Sequence, residues 1–365
     1  MKVPFLDLKA PHQELKADLE AAFKRVLDSG WYILGKELET FETEFAEYCN
    51  VAHCVGIGNG LDAIHLLLTA YGIGPGDEVI VPANTFIATW LAVTYCGAIP
   101  IPVEPNPDTY NIEPLAIESA ITPRTAAIIA VHLYGQPADM DAINLIAHKH
   151  GLVVIEDAAQ AQGARYHGQP ACSLGHAAAT SFYPGKNLGA LGDGGAILTK
   201  DKAVADKVRR LRNYGSKVKY QHESIGYNSR LDELQAAFLT VKLRQLNVWN
   251  QSRVKIADHY TAKLAGCGIT LPHVPTWADP VWHLYVVQTN QRDELQSFLG
   301  RRGIETMIHY PVPPHMQQCY AASTYSNFPV TEQMSRQVLS LPLFPSMTLS
   351  HVNTVIDAIK DFPSY

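Results

Sequence analysis

Residues 126–157 read AAIIAVHLYGQPADMDAINLIAHKHGLVVIED and contain two short apolar runs with a helical stretch between them. Both runs, at 126–131 and 152–155, are continuously apolar, as expected of strands that are covered on both faces in a parallel sheet. The stretch at 139–150 has the length and periodicity of a helix. We therefore predict one strand–helix–strand unit here.

The same alternation extends in both directions along the chain. Further apolar runs at 78–81 and 99–103 alternate with helical stretches at roughly 61–72, 86–96 and 113–120. Three more short strands are predicted between 176 and 200, and two helices open the chain, the first stopping at Gly30. This pattern predicts an α/β fold built on a mostly parallel sheet flanked by helices.

A change of pattern near residue 250 indicates a second domain. A long helix at 231–248 leads into a segment with fewer strands, in which we expect a strand at 282–287 and helices around 292–302 and 349–360. The length of 365 residues also favours two domains over the usual ~100–200 residues of one. We predict a large domain over 1–250 and a smaller α+β domain over 251–365.

The composition excludes several classes of protein. A chain that is 47% hydrophobic and 18% charged can fill a core, and its net charge of −6 disfavours binding to nucleic acid. No apolar run reaches membrane-spanning length, and the first residues lack a secretion signal, so we expect a cytoplasmic protein without a membrane partner. The six cysteines show no metal-binding spacing and are interpreted as reduced thiols.

Residues 56–62 form a glycine-rich turn that enters an apolar helix. Such a turn directs free backbone N–H groups and the positive end of the helix dipole at an anion, typically phosphate. The dinucleotide fingerprint G-x-G-x-x-G fails because Leu61 stands where the third glycine is needed. A plain tight turn explains the segment equally well.

Asp157 follows the buried run at 152–155 directly. A carboxylate at a strand end remains ionised when a cation lies opposite it, so Asp157 could hold a protonated ring nitrogen or a metal. No carboxylate–histidine cluster supports the metal. The alternative to a ligand-binding role is an ordinary solvated acid at the end of a strand.

Lys186 lies between apolar and glycine residues in the segment 181–195. The P-loop motif fails, because it needs glycine at Thr180 and serine or threonine at Asn187. Partial burial would depress the pKa of the lysine and suit it to Schiff-base chemistry, although a lone lysine is more often a surface side chain. The order of a phosphate-type turn, a strand-end aspartate and then a lysine instead indicates a pyridoxal phosphate site.

Through these motifs the sequence resembles the DegT/StrS sugar-nucleotide aminotransferases, which are fold-type I pyridoxal phosphate enzymes. The likeness runs along nearly the whole chain, in the segments 4–8, 29–35, 58–63, 156–160, 181–195, 226–235, 308–311 and 339–342. It implies a large, mostly parallel, seven-stranded sheet and a smaller C-terminal α+β domain. One departure is Gly185, where many members have threonine.

The resemblance assigns the residues around the cofactor ring. Lys186 would bind the aldehyde of pyridoxal phosphate covalently and, once displaced, would transfer a proton as acid and base. Asp157 would keep the pyridine nitrogen protonated, and Gln160 would hydrogen-bond the ring hydroxyl. Phe86 would cover the face of the ring. A histidine in place of the lysine marks dehydrating members, so Lys186 indicates a transaminase.

The resemblance also implies a phosphate site shared between two subunits. Ser181 and the backbone of Gly60, Leu61 and Asp62 would hold the phosphate. The residue that matches Asn228 reaches it from the partner subunit, so a homodimer with shared active sites is implied.

The substrates follow from the same resemblance. Lys219, Tyr220 and His309 would face the nucleotide-linked sugar, with Tyr183 beside the cofactor. L-Glutamate would donate the amino group, and the details of the motifs are most similar to enzymes that convert a dTDP-3-keto-6-deoxyhexose to a dTDP-3-amino-3,6-dideoxyhexose. Three alternatives stay open: transfer to carbon 4 of a dTDP- or UDP-keto-sugar, a non-catalytic regulator with this fold, and a nicotinamide-dependent oxidoreductase.

Overall fold

The computed structural model describes residues 2–323, 325 and 327–363. The strands are β1 (His53–Ile57), β2 (Glu78–Pro82), β3 (Ile99–Val103), β4 (Thr125–Val131), β5 (Val153–Asp157), β6 (Arg165–Tyr166), β7 (Gln169–Pro170), β8 (Ala177–Ser181), β9 (Gly195–Thr199), β10 (Ser216–Val218), β11 (Gln221–His222), β12 (Ala278–Asp279), β13 (Tyr285–Gln288) and β14 (Val338–Leu341). The α-helices are α1 (Lys9–Glu14), α2 (Lys16–Ser29), α3 (Lys36–Tyr48), α4 (Gly60–Ala70), α5 (Ile87–Tyr95), α6 (Pro114–Ala120), α7 (Met140–His150), α8 (Lys202–Leu211), α9 (Glu233–Leu243), α10 (Leu246–Leu264), α11 (Arg292–Arg301), α12 (Pro329–Gln337) and α13 (Leu349–Lys360).

Seven strands form the main sheet in the order β1–β9–β8–β5–β4–β2–β3. Five neighbours, from β8 to β3, are parallel, whereas β9 is antiparallel to both strands beside it. The edge strand β3 contains Pro100 and Pro102, which suit an edge position because proline has no N–H to donate to a neighbouring strand. The predicted mostly parallel α/β sheet is confirmed.

Helices cover both faces of this sheet. Ala127 and Ile129 of β4 pack in the hydrophobic cluster that contains α4 and α5, whereas Ile128 and Ala130 pack on the opposite face with α6 and α7. Because successive side chains of a strand point to opposite faces, a strand that is buried on both faces of the sheet is apolar throughout. The helices and strands predicted between 61 and 155 lie within two residues of their observed bounds.

Two elements differ from the sequence-based expectation. The helix predicted at 231–248 is two helices, α9 and α10, which meet at Arg244 and Gln245. The turn lies between two segments that pack in different places. α9 packs only with the part of the chain that forms the main sheet, whereas the later residues of α10 enter a different core. Between 176 and 200 there are two strands instead of three, because residues 182–194 form the loop that carries Lys186.

A second core forms around the C-terminal part of the chain. The antiparallel pair of β13 and β14 packs with α10, α11 and α13. Val3 is fully buried in the same cluster and pairs with Ile304, so the N-terminal segment lies against this unit. In the part of the chain that the model describes, none of the helices has both the length and the apolar character needed to cross a membrane.

Candidate active site

Three strand ends bring the predicted motifs to one edge of the sheet. Asp157 ends β5 and Ser181 ends the neighbouring parallel strand β8. Gly195 pairs with both Ser181 and Ile57, the last residue of β1, which leads into the glycine-rich turn. Ligands of open α/β sheets bind at this carboxyl edge, so the sheet itself assembles the candidate site.

Asp157 is a buried carboxylate with an incomplete set of partners. Its Oδ2 accepts a hydrogen bond from Thr89 Oγ1 at 2.8 Å, and its Oδ1 accepts one from the Ala159 N–H at 3.2 Å. Burial raises its pKa above the usual range, and the two hydrogen bonds and Lys186 only partly oppose that effect. A buried carboxylate of this kind is stabilised when a cation binds beside it.

Lys186 lies in the turn that follows β8, and its N–H donates to the Tyr183 carbonyl at 2.8 Å. Its side chain is half-buried and forms no hydrogen bond among the described residues. Burial lowers the pKa of the amine to about 8, and the Asp157 carboxylate opposes that shift. An amine with a lowered pKa is available as a nucleophile and as a proton acceptor near neutral pH.

The N-terminus of α4 forms an anion cradle beside Ser181. A side chain at Gly60 would place its Cβ 2.7 Å from the Cβ of Ser181, so only glycine allows this approach. Asn59 caps the helix by accepting the Asp62 N–H at 2.8 Å, and Ser229 Oγ donates to the Asp62 carboxylate at 2.6 Å. The free N–H groups of the first turn are therefore those of Gly60 and Leu61, whereas the Asp62 N–H that was expected to help is already engaged.

Gln160 connects the carboxyl edge of the main sheet to the C-terminal part of the chain. Its Oε1 accepts the Tyr134 N–H at 2.6 Å, and its Nε2 donates to Tyr310 OH at 3.0 Å, which leaves one N–H of the amide free. The ring of Phe86 lies 5.3 Å from that of Tyr310 and is 51% exposed. An exposed aromatic ring beside a buried polar cluster has a free face for another ring.

The predicted substrate residues divide into two groups. His309 lies near Lys186, which together with burial lowers the pKa of His309 to about 4, and its Nδ1 is 2.8 Å from Ser340 Oγ. Tyr183 is exposed in the Lys186 loop. Lys219 and Tyr220 instead lie on the hairpin of β10 and β11, and their recorded contact is with each other, at 5.1 Å from the ammonium to the ring.

Asn228 lies in the segment between β11 and α9. It is exposed and forms a backbone bridge with Asn213. Its neighbour Ser229 accepts the Gly58 N–H at 3.1 Å, so this segment touches the cradle, whereas the Asn228 side chain has no hydrogen-bond partner among the described residues. Among the described residues of one subunit, Lys186 interacts electrostatically with Asp157, His309 and His283, whereas no hydrogen bond or ion pair links it to Lys219, Tyr220 or Asn228.

The model of the DegT/DnrJ/EryC1/StrS aminotransferase family matches residues 13–360. This chain belongs to that family. It is 54% identical to the dTDP-3-amino-3,4,6-trideoxy-alpha-D-glucose transaminase of Streptomyces venezuelae, over 99% of this chain and 96% of the relative. It is also 54% identical to the erythromycin biosynthesis sensory transduction protein EryC1 of Saccharopolyspora erythraea, over 99% of each chain.

The solved structures agree with this assignment. The crystal structure of S. venezuelae DesV in complex with a ketimine intermediate superposes on this aminotransferase with a TM-score of 0.97 at 54% identity, covering 99% of this chain and 98% of that one. The protein is thus a pyridoxal phosphate-dependent sugar aminotransferase with the fold that its sequence implied.

The residues present fit this cofactor on three observations of the aminotransferase itself. The carboxylate of Asp157 is buried without a strong cationic partner, the absent Cβ of Gly60 opens the cradle at Ser181, and the amine of Lys186 has a lowered pKa. A cationic ring, a phosphate and an aldehyde match these three features respectively. Among the residues that the model describes, no group of three His, Cys, Asp or Glu side chains could hold a metal ion.

Sequence reasoning missed several residues that support the site. Thr89 lies in the first turn of α5, three positions after its N-cap residue Phe86, so this spacing could have placed it near the ring site. Tyr310 belongs to one of the segments that carry the family resemblance, but no pattern in the sequence indicates a role for it. His283, whose pKa responds to Lys186, lies in an apolar strand-like run, and no local signal distinguishes it from a core histidine.

Proposed function

We propose that this aminotransferase transfers the amino group of L-glutamate to carbon 3 of a dTDP-linked 3-keto-6-deoxyhexose, giving a dTDP-3-amino-3,6-dideoxyhexose. The observation that carries the chemistry is the Lys186 amine, with a pKa of about 8, at the same sheet edge as the buried Asp157 carboxylate. The substrate class is supported by the name of the S. venezuelae relative, a dTDP-3-amino sugar transaminase.

Each residue then has a defined task. Pyridoxal phosphate, when bound, supplies an aldehyde for amine exchange and a protonated ring that draws electron density from the substrate. Asp157 holds the charge on the ring nitrogen, Gln160 offers its free N–H, and Ser181 with the first turn of α4 holds the phosphate. Lys186, once its amine is free, accepts the proton from the substrate carbon and returns it at the next step.

The substrate proposal is tested with L-glutamate and a panel of dTDP- and UDP-linked 3-keto and 4-keto sugars. We expect amino transfer to the dTDP-linked 3-keto sugar, with the new carbon–nitrogen bond at carbon 3 by NMR and release of 2-oxoglutarate. Preferred transfer to carbon 4 would replace this proposal by the runner-up. No turnover of any sugar would favour the regulatory role that the name of the S. erythraea relative suggests.

We further propose that two copies of the chain share their active sites. Trp31 is 62% exposed, and Ile33, two residues later, bridges to Asp232. Arg230 lies two residues before Asp232 and stacks on the exposed ring of Tyr214, at 5.3 Å.

From this stacked pair a series of contacts leads to the residues predicted to serve a neighbouring site. Arg230 donates to Asn213, which pairs with Asn228, and the exposed hairpin that holds Lys219 and Tyr220 follows directly. Exposed aromatic residues such as Trp31, Tyr214 and Tyr220 are typical of a subunit interface.

A hybrid of two inactive protomers tests this arrangement. Lys186→Ala and Asn228→Ala subunits are coexpressed with different tags, and the mixed dimer is purified. If Asn228 serves the partner, one of the two sites in each mixed dimer regains both residues, so the purified mixed dimer should recover about half of the parent's activity per site. Activity no higher than that of the Asn228→Ala homodimer would show that Asn228 serves its own subunit, and a fully active monomer would contradict the shared site altogether.

The division into domains over 1–250 and 251–365 also remains our proposal. It is supported by α10, in which Leu246 and Trp249 pack with the large unit while Ile256 and Tyr260 pack in the second core. The change from one core to the other thus falls between residues 249 and 256, an interval that contains the proposed boundary.

A further inference from the structure

Lys242 is a buried lysine in contact with the Lys186 loop (residues 182–194), and the function proposed above gives it no role. It lies in the last turn of α9 and is 3% exposed. Its ammonium donates to the Gly189 carbonyl at 2.6 Å, and its Nζ lies 2.7 Å from Nε2 of His12. Three elements therefore meet at this nitrogen: α9, the Lys186 loop and α1.

The charge of Lys242 is not balanced by a carboxylate. No ion pair joins it to an acidic residue among the described residues, and burial lowers its pKa to about 8. The ammonium form still predominates near neutral pH, and a buried charge without an opposite charge costs free energy. A methionine would fill the same space without that cost. Packing alone thus does not explain a lysine here, whereas its two hydrogen-bond partners do.

His12 accepts a hydrogen bond from this ammonium. Burial and the charge of Lys242 lower the pKa of the half-buried imidazole, so His12 is uncharged near neutral pH. An uncharged imidazole with its hydrogen on Nδ1 accepts at Nε2, and an ammonium can only donate. Two of the three hydrogens of Lys242 thus have defined acceptors, which fixes the direction of the side chain.

The Gly189 carbonyl belongs to a peptide unit that is held on both sides. The N–H of the same unit, that of Ala190, donates to the Phe182 carbonyl at 2.8 Å. A Cβ at Gly189 would collide with the carbonyl oxygen of Pro184, so the chain folds back tightly between these two residues. Lys186 lies inside this closed turn. A shift of the Gly189 peptide is therefore expected to displace Lys186 as well.

A second side chain of α9 holds the same loop. Gln235 Oε1 accepts the Leu191 N–H at 2.8 Å. Gln235 and Lys242 are seven positions apart in α9, so they lie on the same side of the helix, two turns from each other. The helix itself is buried in the core beside the main sheet. It is thus a fixed support that binds the loop at a carbonyl and at an N–H.

We propose that Lys242 is a positioning residue for Lys186: its ammonium, directed by His12, fixes the Gly189 carbonyl and so holds the loop from which the Lys186 amine extends. The inference rests on the proposed role of Lys186 as the lysine that binds the cofactor. A lysine amine is carried on a flexible four-carbon stem, so it reaches a defined place only if the backbone beneath it is fixed. Asn187, which donates to the Val281 carbonyl at 3.0 Å, is a further anchor of this turn.

Amide hydrogen exchange in the cofactor-free protein tests the bond to Gly189 directly. The reporter is the Ala190 N–H, because it shares a peptide unit with the Gly189 carbonyl. We expect this amide to exchange at least about tenfold faster in Lys242→Met than in the parent, while the amides of β4 and β5 keep their rates. An unchanged rate at Ala190 would contradict the proposal. Equal acceleration throughout the main sheet would also contradict it, since that result indicates a general loss of stability.

His12→Leu provides a second test that leaves Lys242 in place and changes only the contact with α1. Without this acceptor the ammonium is no longer directed at Gly189, so Ala190 should exchange about two- to threefold faster. His12→Gln, whose side-chain oxygen can accept at the position of Nε2, should restore the rate of the parent. A rate in His12→Leu equal to that of the parent would overturn the proposed arrangement.

Steady-state kinetics separate positioning from a purely structural role. Below its unfolding temperature, Lys242→Met should lower kcat about tenfold with little change in KM, because bound substrate meets a misplaced amine. Lys263→Met, at an exposed position of α10, is the matched control. A parent-like kcat with a lowered Tm would assign Lys242 to stability alone. If the parent itself showed no absorbance of covalently bound pyridoxal phosphate, the proposed function would fail, whereas the exchange rates would still report on the bond.

Discussion

Replacement of Lys186 by alanine is expected to lower amino transfer by about 10⁴-fold or more and to remove the visible absorbance of covalently bound pyridoxal phosphate. The side chain supplies both the nucleophile for the aldehyde and the acid–base group, and each of these losses is large. The lowered pKa of about 8 means that a larger fraction of the amine is unprotonated near neutral pH than in an ordinary lysine. Absorbance titration with the cofactor and the assay with L-glutamate measure the two effects separately.

Two further variants make this result specific. Lys186→Arg keeps the positive charge but cannot form the covalent bond, so it should be as inactive as Lys186→Ala. Lys255→Ala, on the exposed side of α10, should behave as the parent. Retention of the absorbance by Lys186→Ala would assign the cofactor to another lysine. A fall in thermal stability that matched the loss of activity would indicate damage to the fold instead.

The main sheet could be predicted from the sequence because each of its central strands can be recognised from its own residues. Residues 126–131 and 152–155 are apolar on both faces, and the helix between them has its own periodicity. The division of 231–248 into α9 and α10 could not be predicted in this way. It has no proline or glycine to mark it, and it depends on which core each half meets.

The candidate site likewise has parts that could be predicted from the sequence and parts that could not. Asp157 and Lys186 follow apolar runs in order, so their convergence at one sheet edge follows from topology. The engagement of the Asp62 N–H by Asn59 depends on a side-chain conformation, and a motif of the form Gly-Asn-Gly does not specify it. The contact between Asn187 and His283 joins residues 96 positions apart, which spacing along the chain cannot predict.

Replacement of Asp157 by asparagine is expected to separate stability from activity. In the cofactor-free protein burial raises the pKa of this carboxyl, so its contribution to stability is present below its unfolded-state pKa and is lost as the pH rises through the folded value. Near neutral pH the ionised carboxylate therefore costs stability. Asp157→Asn removes that cost while retaining groups that can hydrogen-bond Thr89 and the Ala159 N–H.

The cofactor-free variant should accordingly unfold at a denaturant concentration at least as high as the parent's near neutral pH, and the difference should shrink as the pH falls. Its activity should nevertheless drop by about 10²–10³-fold, because a neutral amide no longer holds the charge on the ring nitrogen. Added pyridoxal phosphate should also raise the Tm of the variant less than that of the parent, since only the parent gains a partner for its buried charge. Asp258→Asn, at an exposed position of α10, is the control; equal activity of Asp157→Asn and the parent would show that Asp157 does not serve the ring.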